Sequence, residues 1–236
     1  MPESWDSAAE LRKEQIESGL DITFSKVFLP YYLKLVTDSR PSSVLEVGCG
    51  TGHLSSELSK LIAKVVAIEP SPGMHTVARE VLNGSGVQLI NKRVQDIKIE
   101  QTFDLIISHM CIQTTNNIGD FLGSVRVLMN EGSCFVFTIP HPCFYNDYKR
   151  FFSSKEYSYI VPMKKNITFS ITNDPDRPIS GVPYNHRPLS CYFDFLKKHD
   201  MLVADFHEII PEFTVQNLYG ANWETPRYCV FHIKKH

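Results

Sequence analysis

Residues 44–52, Val-Leu-Glu-Val-Gly-Cys-Gly-Thr-Gly, constrain this chain more than any other stretch. A short β-branched run opens directly onto three glycines in the spacing G-x-G-x-G, and a helical period follows from His53. Gly48 and Gly50 allow a tight backbone turn that can approach a ligand closely. Gly52 lets the following helix pack on the strand, and the N-terminus of that helix presents unpaired N–H groups. A strand, a glycine turn and a helix in that order form a nucleotide-type binding loop, a context that a lone glycine cluster lacks.

The rhythm on either side supports an α/β chain. β-branched runs at Val44–Val47, Val65–Glu69, Val87–Asn91, Phe103–Ser108 and Ser133–Ile139 predict strands. Helical stretches near His53–Ile62, Gly73–Leu82 and Ile118–Met129 alternate with them, the pattern of a parallel sheet with crossover helices. Before the first strand, Leu11, Ile16 and Leu20 mark one amphipathic helix, with Asp6 as its N-cap. Val27, Phe28, Tyr31, Tyr32 and Leu35 mark a second, and Gly19 separates the two. After Pro140 the rhythm breaks into a segment rich in Tyr, Phe, Pro and Asn, with alternating stretches at Tyr157–Val161 and Ile167–Thr172. It resumes with a helix near Leu189–His199 and strands near Met201–Ile210 and Arg227–Lys234. The expected organisation is one domain over residues 1–236. Cover helices occupy 1–40, a ligand-binding core 43–140, a β-rich lid insertion 141–187, and a closing helix and strands 188–236.

Charge and cysteine content narrow the partners. With 24 basic and 26 acidic side chains the net charge is -2, which disfavours a polyanionic partner such as nucleic acid. The six cysteines are widely spaced with no C-x-x-C pair, as expected of reduced thiols in a cytoplasmic protein. The first residues lack the basic-then-apolar run of a signal peptide, and no apolar stretch of about 18 residues exists to span a membrane. No metal-ligand spacing surrounds the strand ends, so no metal is expected. The oligomeric state is left open between monomer and homodimer.

The carboxylates say more about the ligand. Glu69 closes the second strand, 21 residues after Gly48, where a carboxylate accepts hydrogen bonds from both ribose hydroxyls of an adenosine. Facing a cleft, it should bear on ligand binding and little on stability. Asp96 lies in the turn after the third strand, placed to meet an adenine edge. The dinucleotide fingerprint wants a glycine at position 53, which is His53. A carboxylate at Glu46, beside the loop, would repel a pyrophosphate and suits a cationic group.

Glu46-Val47-Gly48-Cys49-Gly50-Thr51-Gly52 resembles the first signature of the class I (Rossmann-like) S-adenosylmethionine-dependent methyltransferases. Ala67-Ile68-Glu69-Pro70-Ser71, Val94-Gln95-Asp96-Ile97 and Phe103-Asp104-Leu105-Ile106-Ile107-Ser108 resemble the next three. The resemblance implies a doubly wound, mostly parallel seven-stranded sheet and S-adenosyl-L-methionine as cofactor. It places the methionine part at Glu46, Gly48, Cys49, Gly50, Thr51 and Gly52, and the ribose at Glu69. The adenine falls to Asp96 and Ile97, and the floor beside the sulfonium to Ser108, His109 and Met110. Pro70, Met74 and Gln95 complete the expected cofactor contacts.

Methyl transfer needs an acceptor lone pair near attack distance, exclusion of water, and a proton sink when the acceptor carries a proton. His141, after the fifth strand, and His186, where the insertion rejoins the core, are the candidate catalytic residues. Their segments resemble ones in small-molecule members of the superfamily. Each histidine could equally be a satisfied structural side chain. Phe144, Tyr145, Tyr184 and Arg187 are the candidate acceptor-binding residues, although Arg187 could simply cap the helix that follows. A nucleophilic Cys143, suggested by Pro142-Cys143, is the weaker reading, because most unpaired cysteines are small buried apolar residues. The expected activity is methylation of nitrogen or oxygen on a small aromatic or heterocyclic metabolite. An enzyme acting on RNA or protein, and a cofactor-binding scaffold without catalysis, are the rivals.

Overall fold

The computed structural model describes residues 4–98 and 100–236. The first three residues, part of the stretch on which the leader reading rests, lie outside that range. Strands β1 (Val44–Val47), β2 (Val65–Ile68), β3 (Gln88–Ile90), β4 (Phe103–His109) and β5 (Met129–Pro140) are joined in the sheet by β8 (Met201–Ile209) and β9 (Tyr228–Lys235). Their order is β3-β2-β1-β4-β5-β9-β8. The first five run parallel, and β9 alone is antiparallel to its neighbours. This is the mostly parallel seven-stranded sheet that the sequence predicts. The order reverses between β1 and β4, so a crevice opens at the carboxyl ends of those strands, where open α/β sheets take ligands.

Helices cover both faces because the central strands bury side chains on both. In β5, Phe135 and Phe137 join one core cluster with Leu122 and Val125 of α5 (Ile118–Val127) and Tyr192 and Leu196 of α7 (Leu189–Lys198). Val136, between them, faces the other cluster, with Phe28, Tyr32 and Val36 and with Leu54 and Leu58 of α3 (His53–Ser59). Local chemistry starts the helices where the sequence suggests. Ser71 caps α4 (Pro72–Val81) by accepting the Met74 N–H at 3.2 Å, and Asn117 caps α5 by accepting the Asp120 N–H at 3.1 Å.

Three features depart from the sequence expectation. The second N-terminal helix begins as a π-helix, Thr23–Phe28, before continuing as α2 (Leu29–Ser39). Asp21 holds its start by accepting the Phe24 N–H at 2.9 Å. β5 begins at Met129 rather than Ser133, because Asn130 and Ser133 exchange hydrogen bonds with the backbone of a bulge at the exposed Glu131 and Gly132. In the segment after β5, Tyr157–Val161 forms turns rather than a strand. The β structure there is one hairpin, β6 (Met163–Ile171) paired with β7 (Asp174–His186), preceded by the short α6 (Tyr145–Lys149).

That hairpin does not stand alone. Ile167, Ile179, Val182 and Tyr184 share a buried cluster with Ala8 and Ala9 of α1 (Ser4–Glu17) and Met74 and Val77 of α4. α1 is fixed between the two: Asp6 accepts the Gly73 N–H at 2.9 Å, and Gln15 donates to Asp174 of β7 at 2.9 Å in a buried contact. Among the described residues no helix is long and apolar enough to cross a membrane.

Candidate functional site

A cavity of about 1060 Å³ opens over the carboxyl ends of β1, β2 and β4, and is closed on its other sides by α1, the π-helix, α6 and the hairpin. The glycine turn after β1 forms its floor. Gly48 has φ 77°, and a Cβ there would stand 2.4 Å from Cys111 Sγ, so no side chain fits. Gly50 has φ 55° and is the opposite case: a Cβ would meet no atom within 4 Å, because its backbone faces open room. Gly52 packs against α4, where a Cβ would approach Leu82 Cγ at 3.1 Å.

Two carboxylates support this turn. Glu69, at the end of β2, accepts the Gly50 N–H on one oxygen and the Ser71 N–H on the other, both at 2.8 Å. Glu46 is 2 % exposed and takes the Ser55 hydroxyl. Burial pushes its pKa up to about 8, and the nearby Glu69 charge adds to the rise. Among the described residues no Lys or Arg pairs with Glu46. Arg12 of α1 reaches the cavity but is committed to Asp21 and to Gln15.

The structure brings most of the expected cofactor residues to this one cavity. Glu46, Gly48, Cys49, Gly50, Thr51, Glu69, Pro70, Met74, Gln95, Asp96, His109 and Met110 all line it. Gly52, Ile97 and Ser108 do not: Gly52 backs onto α4, Ile97 packs against the core, and Ser108 is fully buried. Of the expected acceptor residues, Tyr145 and Tyr184 line the cavity.

His141, His186, Phe144 and Arg187, the other residues expected of the site, do not line this cavity. His141 is 1 % exposed; its Nε2 lies 2.9 Å from Glu208 Oε1 on β8, and its Nδ1 accepts the Cys143 N–H at 3.2 Å. Phe144 packs on that imidazole with ring centroids 4.7 Å apart. His186 donates from Nε2 to the Tyr159 carbonyl at 2.9 Å and sits among Phe152, Tyr157 and Tyr159. Burial pushes the pKa of both histidines down. Arg187 donates to the Thr115 carbonyl at 2.6 Å, which ties the end of β7 to the turn after β4. A strand end is a place in the chain, and only the direction of the side chain decides which side of the sheet edge it serves.

Several lining residues were not read from the sequence. The turn from Cys111 to Asn117 contributes Gln113 and Thr114; the hairpin contributes Lys164 and Asn166; the π-helix contributes Phe24 and Phe28. Period-two spacing of Lys164 and Asn166 in β6 was a usable signal. The π-helix gave none.

Comparisons with known proteins agree with this geometry. Residues 44–132 match the family model described as a methyltransferase domain. Malonyl-[acyl-carrier protein] O-methyltransferase of Acetivibrio thermocellus is 30% identical over 144 residues, covering 60% of this chain and 47% of that protein. Its counterpart in Bacillus cereus is 26% identical over 156 residues, covering 65% of this chain and 55% of that one. The chain thus spans about half the length of the curated relatives it matches. Among solved structures, an S-adenosylmethionine-dependent methyltransferase from Clostridium acetobutylicum superposes with a TM-score of 0.66 at 15% identity, covering 98% of both chains. The Burkholderia thailandensis 1,6-didemethyltoxoflavin-N1-methyltransferase gives 0.57 at 16%, covering 97% of this chain and 88% of that one. At these identities the structural likeness is one of fold.

Proposed function

We propose that the chain is a class I S-adenosylmethionine-dependent methyltransferase, in keeping with its methyltransferase-domain match and its fold, and that it transfers a methyl group to nitrogen or oxygen of a small aromatic or heterocyclic molecule. The observation that carries the proposal is that the β1 glycine turn, its two carboxylates and the aromatic residues of the insertion open on one cavity of about 1060 Å³. Such a volume lies at the upper end of the roughly 300–1,000 Å³ range for small-molecule pockets, room enough for a cofactor and a small acceptor.

The residues present fit the cofactor. Open room at Gly50 is where a ligand can lie against the backbone. Glu46, a buried carboxylate without a cationic partner, is matched in chemistry by the ammonium of an amino acid. Glu69 is held by two backbone N–H groups and would present its charge to the ribose hydroxyls. Asp96, Gln95 and Met74 would flank the adenine. When bound, S-adenosylmethionine supplies a methyl carbon made electrophilic by the sulfonium.

The protein's own part is positioning and exclusion of water. Tyr145, Phe151 and Tyr184, packed at steep angles to one another, give the cavity an aromatic wall. α1 and the hairpin act as cover and lid over residues 43–140. His141 has both ring nitrogens engaged and His186 has its Nε2 on the Tyr159 carbonyl, and neither residue lines the cavity, so both would act as supports for α6 and the hairpin rather than as proton sinks.

Incubation with S-adenosylmethionine labelled with ¹³C at the methyl tests the reading. A panel of hydroxylated aromatic acids and heterocycles is offered beside total RNA and a histone mixture. The expected result is label in the small-molecule fraction. Label in RNA or protein alone would overturn the acceptor class.

A further inference from the structure

His109 ends β4, and its imidazole lines the cavity beside Phe24 and Phe28 of the π-helix and Tyr32 of α2. The ring centroids are 6.3, 4.5 and 5.5 Å away respectively. Its Nδ1 lies 2.8 Å from Thr138 Oγ1 on β5. Which of the two donates is decided by counting hydrogens. A hydroxyl has one hydrogen and two lone pairs. Thr138 Oγ1 receives the Tyr32 O–H at 3.1 Å and shares the Met110 N–H, 3.1 Å away, with the Thr138 carbonyl, so neither neighbour is free to accept its hydrogen. Its own hydrogen is left for His109, so Nδ1 accepts and the ring hydrogen sits on Nε2. The reverse arrangement would turn the threonine hydrogen towards Tyr32. The Tyr32 hydroxyl hydrogen would then have no acceptor at a residue with 0% exposure. A buried unpaired donor costs about 1–3 kcal/mol. Nε2 itself makes no hydrogen bond to any described residue and is not among the sealed, unpartnered atoms.

We propose that His109 binds the methyl acceptor: its Nε2–H donates a hydrogen bond to a carbonyl or carboxylate oxygen of the molecule that receives the methyl group. This rests on the methyl-transfer reading and narrows it. An N–H donor pairs with oxygen lone pairs and has nothing to offer a protonated amine. The basic nitrogen of His109 is committed to Thr138, so this imidazole holds the acceptor without taking its proton. Burial among aromatic rings holds its pKa down to about 4. Asp21 pulls the value up and Arg12 pulls it down, and the ring is neutral at physiological pH.

Two-bond ¹H–¹⁵N correlation spectra of protein labelled with ¹⁵N-histidine read the tautomer directly, with His109→Phe to assign the signal and His109→Gln as a second assignment variant. The expected pattern, without any ligand, is a protonated Nε2 and an unprotonated Nδ1, unchanged from pH 6 to 8. A protonated Nδ1, or a ring that titrates in that range, overturns the proposal. The protein is next saturated with S-adenosylhomocysteine and titrated with sodium benzoate or with benzylamine. Benzoate should shift the Nε2–H proton and benzylamine should not; a shift by benzylamine, or by neither, overturns the assignment to an oxygen acceptor. Failure of S-adenosylhomocysteine to bind would strike the methyl-transfer reading instead, since the tautomer is read without it.

Discussion

Glu46 stands one residue before the end of β1 and Glu69 one residue after the end of β2, and they are compensated in different ways. Glu69 is met by two backbone N–H groups, whereas the buried Glu46 has Ser55 and no cation. The pH dependence of folding should show the difference. The Glu46 carboxyl keeps its proton up to about pH 8 in the folded chain but loses it near 4.5 when unfolded. Its contribution is therefore fully present below about 4.5 and lost as pH rises towards 8, with a slope of about 1.4 kcal/mol per pH unit at most. Urea unfolding between pH 5 and 8 should show that decline, and Glu46→Gln should flatten it. An unchanged slope in the variant would mean that the carboxyl is ionised in the folded protein. The sequence placed both carboxylates correctly beside the glycine turn. It did not reveal that Glu69 also ties that turn to the start of α4, because a hydrogen bond to a backbone N–H leaves no mark in residue identity. Glu69→Ala should therefore lower stability by about 1–3 kcal/mol through two orphaned N–H groups, where a cleft-facing carboxylate alone predicted little change.

At the scale of elements, α1 is held by close approach as well as by apolar contact. A Cβ on Gly73 would stand 2.5 Å from the backbone oxygen of Asp6, where α1 crosses the start of α4. Gly73→Ala should push the helices apart and cost about 1–3 kcal/mol, as overpacking does. Trp5, which lines the cavity, should become more exposed, readable as a red shift of its fluorescence. A variant with native stability and unshifted emission would contradict the packing. All seven sheet strands were legible from β-branched runs, and the helices between them from their period. What was not legible had its cause in tertiary contact. The π-helix depends on Asp21 reaching the Phe24 N–H, and the turns at 157–161 depend on Tyr157 and Tyr159 packing around His186. Local alternation alone reads that second stretch as a strand.

For the whole molecule, α1, α4 and the hairpin share one apolar cluster, so α1 and the hairpin form a packed unit with the core. Removing residues 1–20 should leave the seven-stranded sheet folded, loosen the hairpin and weaken ligand retention. Hydrogen exchange in β6 and β7 would report the loosening, and unaltered protection there would show that α1 is dispensable to the lid. The central claim is that the cavity over β1, β2 and β4 holds S-adenosylmethionine. Isothermal titration calorimetry with S-adenosylhomocysteine and with NAD, on the wild-type chain and on Glu69→Ala, tests it most directly. The expected result is binding of S-adenosylhomocysteine, no binding of NAD, and a loss of roughly 2–3 kcal/mol in the variant as the ribose hydroxyls lose a charged acceptor. Tight binding of NAD without S-adenosylhomocysteine, or an affinity untouched by removing Glu69, would contradict it.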